Sequence, residues 1–158
     1  MESVYEMKIV YCKEWGLFLK KPHDVISEQF AREMHIQQKT YVAVIYENDI
    51  VKYVVEIDEV SETIRFYDEN LNNYLVYIFI KKEDRMFLKT ACYYSFDNGK
   101  KVEHIHFNFE ETGDMITEKR NYTNNTVVES KGRVDVSCNW ECIPMFGEYE
   151  SVIRIERE

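Results

Sequence analysis

The sequence predicts a mainly β domain, an antiparallel up-and-down meander of about nine or ten strands with one N-terminal helix. Apolar and polar residues alternate over most of residues 40–156, and short turns rich in Asn, Asp and Gly separate the alternating runs. Aromatic residues, which favour half-buried strands, make up 15% of the chain. Short turns join antiparallel neighbours, and a large open sheet tends to curl or close. We therefore expect a β-barrel, with a curved α+β half-barrel as the alternative.

The N-terminal part contains the helix. Residues 4–19 read as one or two extended segments that bend near Trp15 and Gly16. Pro22 is typical of a helix start and Asp24 can cap a first turn, so the pattern predicts a helix over residues 23–35. Apolar residues recur there at helical spacing, at Ile26, Phe30 and Met34.

The remaining strands follow from the two-residue period. We expect them at residues 41–47, 51–57, 63–68, 74–81, 86–96, 102–110, 116–122, 126–134 and 149–156. Asn98-Gly99 is the clearest hairpin signal, because this pair supplies the positive φ angles of a type I′ turn. Strict alternation puts Val51 on the same face as Tyr53, and Cys92 and Tyr94 on the same face as Met86 and Leu88. With no linker or repeat, residues 1–158 form a single domain.

Charge limits the function classes. The net charge is −9 and the isoelectric point is near 5.0, whereas binding to nucleic acid or anionic membranes requires Lys and Arg. The first residues lack a signal-peptide pattern, and the longest apolar run, residues 74–80, is too short for a membrane helix. We expect a cytoplasmic protein that binds neither nucleic acid nor membranes and keeps its cysteines reduced.

The chemical motifs in the chain are weak. His104 and His106 share one face of a strand and could begin a metal site, but their neighbours Ile105 and Phe107 are apolar, so we expect both histidines to face water. Cys138 and Cys142 have the wrong spacing for a redox pair and are expected to be buried near Trp140. No phosphate loop or nucleophile motif occurs. We expect no enzyme activity, no cofactor and no metal.

One end of the meander is more acidic than the other. Successive turns alternate between the two ends, so the turns near residues 58–62, 82–85 and 110–114 come together. An acidic patch speeds the encounter with a basic protein. The expected partner-binding residues are Asp58, Glu59, Glu62, Glu83, Asp84, Glu110, Glu111 and Asp114.

The order of one early strand segment, a helix and a long meander resembles fatty-acid-binding and lipocalin-like barrels. With its acidity and lack of catalytic motifs, the chain also resembles bacterial toxin-immunity proteins of the contact-dependent inhibition type, some of which are similar to such barrels. The resemblance concerns layout over most of the chain, so it transfers no functional residues. It implies an inhibitor that binds a basic cytoplasmic toxin, such as a nuclease, and blocks its active site by steric and electrostatic occlusion.

A carrier of a small hydrophobic ligand is the alternative function. A closed barrel could hold one apolar molecule in its interior. Arg65 and Arg120 fall on polar faces, where they could not fix a ligand carboxylate inside. A third class stays open: an enzyme built on His104 and His106, or a phage protein that counters host defence. The candidate interior residues are Tyr53, Phe66, Ile78, Tyr94, Phe107 and Tyr149.

Overall fold

The computed structural model describes residues 7–157, which form one antiparallel sheet with one helix. The elements in chain order are β1 (Met7–Gly16), β2 (Lys21–Ile26), α1 (Glu28–Ile36), β3 (Tyr41–Glu47), β4 (Ile50–Ile57), β5 (Ser61–Tyr67), β6 (Asn73–Lys82), β7 (Arg85–Asp97), β8 (Lys100–Phe109), β9 (Asp114–Asn121), β10 (Thr126–Arg133), a 3₁₀ turn (Ser137–Asn139) and β11 (Trp140–Cys142). The mainly β, meandering fold predicted from the alternation is confirmed.

The sheet is open. Its strand order is β10-β9-β8-β7-β6-β5-β4-β3-β1-β2, with β11 added beside the first part of β7. Within residues 7–157, β10 and β2 lie at opposite edges and do not pair with each other. The closed barrel is therefore not formed, and the architecture is the half-barrel alternative.

Four register shifts bend the sheet and reassign its faces. The β3–β4 register skips Lys52, and the β6–β7 register skips Lys89. Comparable shifts occur in the β5–β6 and β7–β8 ladders. A bulge adds one residue to one strand, which increases local twist and reverses the faces of the residues beyond it. The faces predicted by strict alternation were consequently wrong for Val51 and for the second half of β7.

The face that carries α1 and the C-terminal segment is called the inner face. Buried side chains from β3 to β7 form its core, with Ala31 of α1 and Tyr149 and Val152 of the C-terminal segment packed on them. The Tyr41 and Tyr149 hydroxyls lie 3.3 Å apart inside this core. The core residues that belong to β3–β7 are Tyr41, Ala43, Ile45, Val55, Ile57, Ile64, Phe66, Leu75, Tyr77, Phe79, Met86, Leu88 and Ala91.

The opposite, outer face has a smaller core over β1, β3 and β4. The indole Nε1 of Trp15 donates a buried hydrogen bond of 2.9 Å to the Tyr67 hydroxyl. The central strands are thus apolar on both faces, as is usual for strands covered on both sides. The members of this core are Cys12, Trp15, Val42, Val44, Val51, Val54 and Tyr67.

The N-terminal region differs from the prediction. The predicted extended segment is β1 from Met7 onward, while residues 4–6 lie outside the described residues. Pro22 does not start the helix but pairs with Trp15 in β2. The helix begins after Ser27, whose hydroxyl accepts a hydrogen bond of 3.1 Å from the Phe30 amide. Ser27 is the better cap because Asp24 has a φ of 54°, outside the extended region that an N-cap adopts.

The strand predicted over residues 149–156 is also wrong. These residues form turns in which the Val152 and Ile153 amides donate to the Tyr149 carbonyl, at 3.1 and 3.2 Å. The apolar spacing at Tyr149 and Val152 instead reflects packing onto the inner face, where both are buried. The Asn98-Gly99 turn is as predicted, with φ angles of 49° and 78°.

Candidate functional site

The structure places three acidic turns at one end of the sheet, which we call the acidic end. They connect β4 to β5, β6 to β7 and β8 to β9. Lys81 Nζ donates to the Asp58 carbonyl at 2.6 Å and so joins the first turn to the second. Lys82 Nζ lies 3.7 Å from Glu111 Oε2 and joins the second turn to the third.

The acidic end keeps three free carboxylates. Glu59, Glu83 and Asp84 are exposed, and among residues 7–157 none of them forms an ion pair. Four of the other predicted carboxylates are engaged within the chain. Asp58 Oδ1 accepts the Val60 and Ser61 amides at 2.8 Å, and Asp114 lies 3.7 Å from Arg133. Glu110 pairs with Lys89, and Glu111 pairs with Lys82.

Glu62 does not belong to this surface. Its side chain is fully buried on β5 between Ile57 and Phe79, and neither carboxyl oxygen has a hydrogen-bond partner. Burial raises the pKa of this carboxyl to about 7, an effect that Lys81 opposes and Asp58 increases. The prediction that Glu62 binds a partner was wrong because the period of two puts it on the inner face with Ile64.

A groove lies between the acidic turns and the end of α1. Its volume is about 360 Å³, and its lining includes Glu59, Val60, Glu83, Lys81 and His35. His35 Nδ1 forms a hydrogen bond of 2.8 Å with the Tyr41 hydroxyl at the inner end of the groove. Burial, together with Lys81 and Arg32, lowers the pKa of His35, so this ring adds no positive charge near neutral pH.

A second group of polar residues lies on the outer face of β8 and β9. His104 and His106 project from β8, and Glu118 of β9 stands directly opposite His106. Their ligand atoms all lie within 4.8 Å of one another. We call His104, His106 and Glu118 the histidine cluster.

The expectation that both histidines face water was wrong. His104 is buried, with Nδ1 2.7 Å from the Tyr122 hydroxyl and Nε2 3.2 Å from Glu118 Oε1. His106 stacks on His104 with ring centroids 4.1 Å apart, and its Nε2 lies 3.5 Å from the Tyr94 hydroxyl. Burial, and then His104, lower the pKa of His106.

The cysteines also differ from expectation. Cys138 and Cys142 are both exposed, although Trp140 between them packs against Phe87 at a centroid distance of 5.0 Å. Trp140 pairs with Phe87 in the short added strand β11, and this contact leaves Cys138, in the preceding turn, and Cys142, at the end of β11, exposed. The buried cysteines are Cys12 and Cys92.

The candidate interior residues for a carrier divide between the two faces. Tyr53, Phe66, Phe107 and Tyr149 are on the inner face, whereas Ile78 and Tyr94 are on the outer face. Phe66 is fully buried and makes edge contacts with Tyr53 and Tyr77, so these rings fill the interior. An open apolar cleft of about 530 Å³ remains beside Phe107, Phe109 and Tyr93.

Sequence reasoning missed Glu118 and Tyr122 as neighbours of the histidines. The signal was available in the β8–β9 hairpin, because its short turn sets the register that pairs His106 with Glu118. The signal for Glu62 was the period of two in β5, which puts it on the same face as Ile64 and Phe66.

No family model, no curated protein and no solved structure matches this chain. Within residues 7–157, no helix has the length and apolar character needed to cross a membrane.

Proposed function

We propose that this chain is an immunity-type inhibitor that binds a basic protein toxin in the cytoplasm. The supporting observation is the set of three exposed, unpaired carboxylates at the acidic end, Glu59, Glu83 and Asp84. They come from two neighbouring turns on a rigid sheet, so a partner meets them in a fixed arrangement.

The acidic end suits recognition of a basic surface. Unpaired exposed carboxylates raise the rate of encounter with cationic proteins and disfavour acidic ones. Val60 belongs to the first of these turns, beside Glu59, and is 64% exposed, which offers an apolar contact within the patch. The adjoining groove could accept a side chain of the partner.

The inhibition we infer is occlusion without turnover. A nuclease toxin presents a cationic surface to its phosphate substrate. An acidic end that covers this surface competes with the substrate and excludes it sterically. Such a mechanism needs no cofactor and uses carboxylates only as fixed charges.

The test is a growth assay with the product of the adjacent reading frame. Its C-terminal portion is expressed under a tight promoter with the parent chain, with an E59K/E83K/D84K variant, or with a D49K/E69K/D97K control. The control reverses three exposed carboxylates at the opposite end of the sheet. It is well matched because Asp49 and Glu83 both have positive φ, at 64° and 58°.

We expect the parent and the control to rescue growth and the acidic-end variant to fail. With purified proteins, the acidic-end variant should associate at least about tenfold more slowly at low salt. A harmless neighbour, toxicity without rescue, or equal rescue by both variants would contradict the proposal. Circular dichroism of each variant confirms that the fold is retained.

The apolar cleft favours a carrier of a small hydrophobic ligand as the second candidate. Phe107, Phe109 and Tyr93 line it from β7 and β8, and Arg157 stands at its margin. Arg157 Nη2 is engaged with Glu141 Oε2 at 2.5 Å, which leaves it less available to a ligand carboxylate. Native mass spectrometry of the purified protein should show a bound small molecule that is lost in F107A; an unliganded parent would count against a carrier.

A further inference from the structure

We propose that the histidine cluster is a binding site for a divalent transition-metal cation of the zinc class. Two imidazoles and one carboxylate are a ligand set that such cations use in proteins. The inference is independent of the acidic end, because the cluster lies on the outer face of β8 and β9.

Backbone register brings the three ligands together. His104 and His106 are two residues apart on β8, so both project from the same face, and Glu118 is opposite His106 across the β8–β9 ladder. His104 Nε2 lies 3.2 Å from Glu118 Oε1, and the ligand atoms of all three residues lie within 4.8 Å of one another. Tetrahedral bonds of about 2.0–2.1 Å put ligand atoms roughly 3.3 Å apart, so modest side-chain rotations complete the geometry.

Tyr122 provides the supporting contact that metal-binding histidines usually have. Its hydroxyl lies 2.7 Å from His104 Nδ1, on the side of the ring away from Glu118. With a cation on Nε2, the ring proton occupies Nδ1 and donates to the Tyr122 oxygen, which fixes the tautomer and the ring orientation. Burial of His104 limits its alternative rotamers and so holds this ligand in place.

A neighbouring carboxylate favours a cation at this position. Glu129 of β10 stands directly opposite Glu118, and like charges in such cross-strand pairs are destabilising. A bound divalent cation would relieve this repulsion. Two positive side chains disfavour cation binding: Arg120, which stands opposite His104, and Lys101, which lies over the Tyr94 ring. The site therefore depends on direct ligand bonds rather than on net local charge.

The cluster supplies three ligands and leaves a fourth position on the solvent side, because His106 and Glu118 are only partly buried. Water, or a side chain such as Glu129, could occupy it. Imidazole and carboxylate ligands suit Zn²⁺, Co²⁺ and Ni²⁺ better than Mg²⁺ or Ca²⁺, which prefer all-oxygen sites.

The test is titration of chelator-treated full-length protein with Zn²⁺ alone by calorimetry, and with Co²⁺ by absorption spectroscopy. All measurements use a C138S/C142S background, because these exposed thiols could bind metal by themselves. In this background we compare H106N, E118Q and Y122F with H23N, which alters a histidine outside the cluster. E118Q preserves side-chain shape and should leave folding intact.

We expect one equivalent of Zn²⁺ to bind the background protein, and tetrahedral Co²⁺ absorption to appear. H106N and E118Q should abolish binding or weaken it more than Y122F, for which we expect a loss of roughly 10- to 100-fold. H23N should bind like the background. Absence of saturable binding, or affinity in E118Q and H106N equal to that of the background protein, would overturn the proposal.

Discussion

The central strands and the β9–β10 hairpin are built from similar alternating sequence but have opposite surroundings. β3 to β7 are buried on the inner face beneath α1 and the C-terminal segment, and β3 and β4 are also buried on the outer face with Trp15 and Tyr67. Every residue of β10 is exposed, including Val127 and Val128 at 50% and 63%. Alternation therefore identifies a strand without revealing whether anything covers it.

The difference assigns distinct roles to the two regions. Shortening a side chain in the central strands leaves a cavity that the surrounding packed atoms cannot fill, which lowers the free energy of unfolding. The same change on an exposed edge strand has little effect on the free energy of unfolding. The ligand atoms of the histidine cluster lie between these extremes, on β8 and β9, where backbone order comes from the sheet but solvent still reaches the side chains.

Truncating matched phenylalanines should give the largest contrast. Phe66 is fully buried in β5, whereas Phe107 of β8 is only partly buried on the same face. We expect F66A to lower the free energy of unfolding by about 3–5 kcal/mol and F107A by about 1–2 kcal/mol. Urea denaturation monitored by fluorescence measures both, and equal losses would contradict the assignment of Phe66 to the deeper core.

Glu62 should make stability depend on pH. Burial raises its folded-state pKa from 4.5 to about 7, so the folded state binds the proton more tightly than the unfolded chain. The contribution of Glu62 to the free energy of unfolding is greatest below pH 4.5 and falls by about 3 kcal/mol as the pH rises toward 7. In E62Q this fall should be absent from urea midpoints measured between pH 5 and pH 8. E59Q is the exposed control and should keep the parent profile.

The buried Trp15–Tyr67 hydrogen bond should have a smaller effect. Y67F removes the acceptor and leaves the indole N–H unpaired in the outer core, at a cost of about 1–3 kcal/mol. A cycle that includes W15F and the double variant isolates the pair. Additive losses across this cycle would show that the contact contributes nothing beyond packing.

The edge hairpin should show the smallest effect. V128A on β10 should change the free energy of unfolding by no more than about 0.5 kcal/mol. Hydrogen exchange should be faster for β10 amides than for those of β5, because its outer edge is unpaired within residues 7–157. Strong protection of β10 in the isolated protein would indicate that another surface covers it.

The sequence predicted the positions of the strands better than it predicted which face of the sheet each side chain occupies. The period of two located β3 to β10, and Asn98-Gly99 located one turn, because these signals are local. Bulges at Lys52 and Lys89 reversed the faces beyond them, and nothing in the chain near either lysine marks an extra residue. Pro22 is typical of a helix start, but here it occupies the edge strand β2, where its missing N–H is tolerated.

The candidate sites were predictable only in part. The alternation of turns correctly brought the acidic turns together, since that follows from a meander alone. It could not show that Asp58, Glu110, Glu111 and Asp114 are engaged within the chain, because side-chain pairing depends on three-dimensional distances. The burial of His104 likewise depends on Tyr94 of β7 and on Tyr122, which directly follows β9.

The contact between Tyr41 and Tyr149 spans 108 positions of the chain. Each hairpin of the meander can form while the polypeptide is still leaving the ribosome, because its partners are close in sequence. α1 covers its part of the inner face early, but the part beneath Tyr149 and Val152 stays uncovered until residues 149–153 have been synthesised and have docked. During that interval the nascent chain presents aromatic side chains that chaperones bind, so the final step of its folding is also the one that ends its exposure to aggregation.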